Sequence, residues 1–189
     1  MIVIDILFLG LTVLFFSAKY KVSPFNIAKK LMPTFLLLLS TAATIAAFGQ
    51  TMSDCTEKFG IDEKYIKVAH PIRAIVYMPA LVTELTVLTF SMAQIYGVKV
   101  NLTWILLEIM VSSVLTIAVP PISGSVPMVL GILFLQMGIP AEAMALAVAC
   151  DVFYDFLDCA VNNSVGILEC AMQADKLGML DRDVLKKEA

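Results

Sequence analysis

The chain has 189 residues, of which 60% are hydrophobic and 15% charged, with a formal net charge of −3. Soluble domains are typically about 45–50% apolar and about 25% charged, so a soluble fold of this size would expose much apolar surface to water. The composition therefore favours an all-α membrane protein with the lipid bilayer as a partner. No basic stripe with interleaved aromatic residues is present, which excludes nucleic acid.

The first apolar stretch predicts a transmembrane helix over residues 1–17. It lacks a positively charged leader and a small-residue cleavage site, so it is not typical of a cleaved signal peptide. Because the sequence starts inside this apolar stretch, we expect the chain to be a piece of a longer protein. A complete gene product is the alternative.

Two segments follow that are not plain transmembrane helices. Residues 24–58 predict a first re-entrant helical hairpin, with the polar centre Ser40–Thr44 as its tip. Residues 63–96 predict one helix broken at Tyr77–Ala80, because Pro79 removes a backbone donor and clashes with the preceding turn. Broken backbone at membrane depth is tolerated only where it lines a cavity.

Residues 101–138 predict a second re-entrant hairpin. Its tip, Ala118–Pro127, contains three prolines, two serines and one glycine, which a continuous helix would not tolerate. A last transmembrane helix over residues 140–175 and a cytoplasmic tail over 176–189 complete the chain. Interrupted elements in corresponding positions are typical of a transporter binding site. The alternative is five plain helices with proline kinks.

The distribution of basic residues predicts the orientation. Lysines and arginines cluster after the first helix, after the first hairpin and after the last helix. If the hairpins leave the membrane on the side they enter, these clusters share one side, which the positive-inside rule assigns to the cytoplasm. Only Lys99 then lies outside. We therefore expect a multi-pass protein of the cell (inner) membrane with a cytoplasmic C-terminus.

The last helix carries the sharpest functional signal. Asp151, Asp155, Asp158, Asn162 and Glu169 fall on one helical stripe among apolar residues. Each charged side chain at the centre of a span costs about 2.5–3.5 kcal/mol on insertion scales. The stripe is therefore expected to face a protein-lined cavity rather than lipid.

Arg73 is the internal cation predicted to lie within the membrane. A buried guanidinium group needs a carboxylate partner, so we predict a pair with Asp155 or Asp158. Glu84 and Glu108 are further acidic residues predicted within the membrane.

In the order of these elements the chain resembles the dicarboxylate/amino acid:cation symporter family, which includes the glutamate transporters. The resemblance covers the whole chain and corresponds to the C-terminal transport-domain half of that family. It implies a secondary active transporter, not an enzyme, that moves a small amino acid or dicarboxylate-like solute. Its partners would be that solute and either a missing N-terminal scaffold half or further copies of the chain, in a trimer.

The resemblance also implies roles for individual residues. Asp155 would hold the amino group of the substrate, and Asn162 would reach its carboxylate or backbone. The remaining substrate-binding residues would be Asp151, Asp158 and Cys159 on the last helix and Thr44, Val119 and Gly124 at the hairpin tips.

Asp158 departs from the family pattern. Members with acidic substrates carry arginine at this position. A carboxylate would repel a glutamate side chain and favour neutral or cationic substrates, unless Arg73 neutralises it.

The sodium ligands depart as well, since Pro79 and Gly166 stand where the family has sodium-binding aspartates. Arg73 aligns near the first sodium site. Our hypothesis is that its guanidinium group replaces that sodium ion, so that coupling is altered or lost. Met78 and Asn162 remain as weak sodium candidates, and no cofactor is expected beyond a coupling cation, sodium or proton.

Two other functions remain open. The absence of the sodium-binding carboxylates is also consistent with a non-transporting protein, either a degenerate paralogue or a split subunit. Tyr154–Asp155 and Pro79–Leu81 are also similar to motifs of intramembrane aspartyl proteases, although their order is reversed and no second aspartate has the required glycine-rich context.

Overall fold

The computed structural model describes residues 1–120, 122 and 124–188, and every regular element in this part of the chain is helical. The all-α prediction is therefore confirmed for these residues. The helices are α1 (Ile2–Tyr20), α2 (Pro24–Thr41), α3 (Phe48–Glu57), α4 (Glu63–Val76), α5 (Pro79–Ile95), α6 (Leu102–Leu115) with a short 3-10 turn after it (Thr116–Ala118), α7 (Val126–Met137), α8 (Ala143–Lys176) and α9 (Arg182–Lys186).

Helix α8 is the element on which the others pack. Its 34 residues span about 51 Å at about 1.5 Å per residue. It contacts α1, α2, α3, α4, α5 and α7. A polar side chain on α8 can therefore meet groups from most of the fold.

The outer faces of the helices are strongly apolar. Two stretches, Ile2–Tyr20 and Glu63–Ile95, are long and apolar enough to cross a membrane, judged by length and composition. Large hydrophobic side chains lie exposed on several helices, including Leu135 (82% exposed), Phe153 (78%) and Leu102 (71%). Exposed apolar surface of this extent marks contact with lipid or with another protein.

Helices α2 and α3 form the first helix pair, and Asp54 joins them. The Thr34 hydroxyl on α2 donates to Asp54 Oδ2. On the other carboxylate oxygen, Gln50 Nε2 donates at 2.9 Å and Lys58 Nζ lies at 2.8 Å. Helix α2 ends at Thr41, and the next residue, Ala42, adopts a left-handed conformation with φ of 47° and turns the chain towards α3.

The chain is not helical between α4 and α5. Helix α4 ends at Val76 and α5 begins at Pro79, with Tyr77 in an extended conformation. Proline suits the first turn of a helix, where its missing N–H is not needed, and it cannot continue the helix before it. Helices α6 and α7 form the second helix pair and contact each other.

Two apolar cores lie at different heights along α8. The N-terminal third of α8 packs with α5 and α7, and its C-terminal third packs with α1, α2 and α4. Large buried members of these cores are Leu85, Leu130 and Phe134 in the first, and Phe16, Ile27 and Leu168 in the second. The polar residues of the middle third, residues 155–163, lie between them.

Lys30 on α2 holds the C-terminal helix α9 by hydrogen bonds and is only 2% exposed. Its Nζ donates to the carbonyl oxygens of Lys58 at 2.7 Å, Leu185 at 2.7 Å and Val184 at 3.2 Å. These carbonyls belong to the C-terminal ends of α3 and α9, where a positive charge is favourable.

Candidate functional site

A cavity lies where the turn of the first helix pair, the segment after α6, the α4–α5 break and the middle of α8 meet. It encloses about 30 Å³, enough for one or two water molecules. Of the predicted site residues, those lining it are Thr44, Arg73, Met78, Val119, Asp155, Asp158, Cys159 and Asn162. Residues from four separate parts of the chain therefore meet at one place.

The predicted stripe on α8 is divided in the structure. Asp155, Asp158 and Asn162 line the cavity, and Asp158 is 3% exposed. Asp151 is buried but is not a lining residue; it lies beside Glu84 of α5. Glu169 lies away from the cavity and accepts a hydrogen bond from Gln173 Nε2 at 3.0 Å.

The second tip is described only in part. Val119 lines the cavity, whereas Gly124 is exposed, is not a lining residue and forms a turn with φ of 77°. The predicted tip also includes Pro121 and Ser123, which lie outside the described residues. Ser125, at the end of the tip, lines the cavity.

Asp155 and Cys159 are one helical turn apart on α8, and both line the cavity. The Cys159 thiol donates to Asp155 Oδ1 at 3.6 Å. Thr44 lines the same cavity from the turn after α2. A carboxylate beside two small polar groups is a suitable environment for an ammonium group.

Asn162 links the start of α5 to α8 by a hydrogen bond. Its Oδ1 accepts a hydrogen bond from the backbone N–H of Ala80 at 2.8 Å, which satisfies a free donor at the start of α5. Its backbone carbonyl accepts from Arg73 Nη1 at 3.2 Å. Both Asn162 oxygens thus accept hydrogen bonds from within the protein, which gives no support to Asn162 as a sodium ligand. The side-chain N–H₂ group of Asn162 is left to donate to a substrate.

The carboxylate partner predicted for Arg73 is not found. None of the ion pairs among the described residues includes Arg73. Besides the Asn162 carbonyl, its guanidinium group donates from Nη2 to Asn163 Oδ1 at 2.9 Å and lies 3.2 Å from His70 Nδ1. The prediction was wrong because the packing of α4 on α8 places the guanidinium group of Arg73 beside Asn162 and Asn163, not beside Asp155 and Asp158.

The guanidinium group of Arg73 lies directly against Gly166. A Cβ atom built on Gly166 would overlap Nη1, Cζ and Cδ of Arg73. The arginine therefore occupies the space that a side chain at position 166 would need.

Asn163 and His70 belong to this site but were not predicted from the sequence. Asn163 is 1% exposed, and its Nδ2 donates to Thr51 Oγ1 of α3 at 3.2 Å while its Oδ1 accepts from Arg73. It points about 100° away from the stripe on α8, towards α3 and α4. A second buried amide directly after Asn162 was the available signal. Within the described residues, no group of three or more His, Cys, Asp or Glu side chains is arranged to hold a metal ion.

Comparison with known proteins identifies one family. Residues 1–177 match the sodium:dicarboxylate symporter family. No curated protein gives a significant match to the chain. The family match gives no support to the intramembrane protease alternative, because members of this family are transporters.

Proposed function

The chain belongs to the sodium:dicarboxylate symporter family, and from this premise we propose that it is the transport-domain half of a secondary active transporter for a small amino acid or dicarboxylate-like solute. We further propose that its sodium coupling is altered or lost. The substrate would bind in the cavity between the two tips, with its amino group on Asp155.

The observation that carries the transport proposal is the meeting of four chain segments at one polar cavity. Thr44, Val119, Met78 and Asp155 come from the two tips, the helix break and α8, and all line it. At about 30 Å³ the cavity is too small for an amino acid, so a tip must move to admit one. Movement of one tip at a time would expose the cavity to one side of the membrane at a time.

In this proposal the two helix pairs are re-entrant hairpins. Their exposed apolar side chains, such as Leu135 on α7 and Leu36 on α2, suit contact with lipid or with a scaffold. The protein would lie in the cell (inner) membrane with its C-terminus in the cytoplasm. Its partner would be the missing scaffold half or further copies of the chain, since a transport domain needs a surface against which to move.

The proposed loss of sodium coupling is supported by the contact of Arg73 with Gly166. A sodium ion and a guanidinium group repel each other, and their repulsion is strong where water is excluded. Gly166 also offers no carboxylate, and the Asn162 oxygens are engaged by Arg73 and Ala80.

Uptake into proteoliposomes tests the proposed function. A panel of labelled amino acids and dicarboxylates would be offered to the wild-type chain, to Asp155→Asn and to Glu142→Gln, which changes an exposed carboxylate at the start of α8. At least one compound should be taken up by the wild type and by Glu142→Gln, and Asp155→Asn should abolish uptake. Absence of uptake by folded protein would favour the non-transporting alternative.

A further inference from the structure

A cluster of carboxyl groups lies beside the substrate cavity. It consists of Glu84 on α5 and of Asp151 and Asp158 on α8, which are 0%, 2% and 3% exposed. Glu84 lies beside both aspartates, because α5 packs on α8. Asp5 on α1 and Asp155 on α8 are further carboxyl groups close to Asp158.

Asp158 is the member of this cluster that reaches the cavity. It lines the cavity wall, and neither of its carboxylate oxygens has a hydrogen-bond partner among the described residues. A buried carboxylate without donors is unfavourable by several kcal/mol in an apolar medium and is normally paired. The orientation of Asp158 therefore suits a ligand that brings its own positive charge.

Arg73 does not supply this charge, although it lines the same cavity. Its guanidinium donors are directed to the Asn162 carbonyl, Asn163 and His70. None of the ion pairs in the described part of the chain includes Asp158. A second carboxylate, Asp155, lines the cavity one turn away. An acidic substrate side chain would meet two like charges here.

We propose that the cavity takes a substrate with two cationic groups, such as a basic amino acid, with its side-chain ammonium or guanidinium group on Asp158 and its α-ammonium group on Asp155. This inference rests on the proposed function and specifies its substrate class. The charged side-chain group of such a substrate supplies the N–H donors that the oxygens of Asp158 lack, and such charge-assisted bonds are stronger than neutral ones.

Calorimetric titration of the full chain in lipid nanodiscs tests the proposal. L-lysine would be compared with L-6-hydroxynorleucine, a neutral analogue of similar size, and with L-glutamate. Lysine should bind at least about tenfold more tightly than the analogue, and glutamate should bind most weakly. Asp158→Asn should abolish the preference for lysine but keep the affinity for the analogue, whereas Glu142→Gln should behave as the wild type.

The outcomes separate this proposal from the proposed function. If lysine and its analogue bound the wild type equally, or if glutamate bound more tightly, the basic substrate class would be wrong and the transporter function would stand. If none of the amino acids or dicarboxylates bound, both would be wrong. If Asp158→Asn did not fold, the preference of the wild type for lysine over its neutral analogue would still decide.

Discussion

The guanidinium group of Arg73 on α4 covers Gly166 on α8 so closely that any side chain at position 166 would overlap it. The two residues are 93 positions apart in the sequence (166 minus 73). Glycine at position 166 is therefore required for the observed position of the Arg73 side chain.

Gly166→Ala should destabilise the protein. The added methyl group overlaps Arg73, which is held by hydrogen bonds to Asn162 and Asn163, so the helices must separate slightly. Overpacking of this kind costs about 1–3 kcal/mol, and the Tm in detergent should fall by several degrees. Gly131→Ala is the matched control, since no atom lies within 4 Å of its Cβ position, and its Tm should stay near that of the wild type.

A double variant with Arg73→Ala shows whether the overlap is the cause. Removing the guanidinium group makes room for the methyl group, so Gly166→Ala should cost much less in the Arg73→Ala background than in the wild type. Equal costs in both backgrounds would show that the two residues do not interact.

Sodium should not stimulate the wild-type protein. Replacing Arg73 by glycine and Gly166 by aspartate removes the fixed positive charge and adds a carboxylate in the same space, which should favour a cation there. Substrate binding would be measured in sodium chloride and in choline chloride at equal ionic strength. A gain of sodium dependence is expected only in the double variant, and wild-type binding that rose steeply with sodium would contradict the replacement of the ion by Arg73.

Cys159 should report on substrate binding. It lines the cavity, whereas Cys55 is 1% exposed and lies in an apolar core. In variants that retain one cysteine at a time, a small thiol reagent should modify Cys159 slowly, more slowly still with substrate present, and should leave Cys55 unmodified. The rates would be followed by mass spectrometry. Rapid labelling of Cys159 that substrate did not slow would place it outside the binding site.

Lys30→Met should loosen the chain end. The ammonium group of Lys30 bonds three carbonyl oxygens at the ends of α3 and α9, and methionine fills a similar space without donating. Loss of hydrogen bonds from a charged group should cost about 1.5–3 kcal/mol and should speed proteolysis after residue 176. Lys186→Met, at an exposed position of α9, should leave the rate of proteolysis unchanged. Equal rates in Lys30→Met and wild type would exclude a role for Lys30 in holding α9.

Much of the architecture follows from local chemistry that the sequence displays directly. The apolar composition, the proline at position 79 and the spacing of Asp155, Asp158 and Asn162 predicted helices, a break and a polar face on α8. These features depend on backbone geometry and helical periodicity, which act over a few residues. The predicted cavity residues come together for the same reason, because buried polar groups on α8 must face protein and not lipid.

Only the tertiary structure decided which groups meet across the helices. The sequence predicted a carboxylate partner for Arg73, whereas the packing of α4 against α8 directs the guanidinium group to Asn163 and to the space over Gly166. Likewise, Glu84 and Asp158 become neighbours only because α5 packs on α8. The axial offset and rotation between two packed helices depend on all of their side-chain contacts together, and no local pattern in one helix determines them.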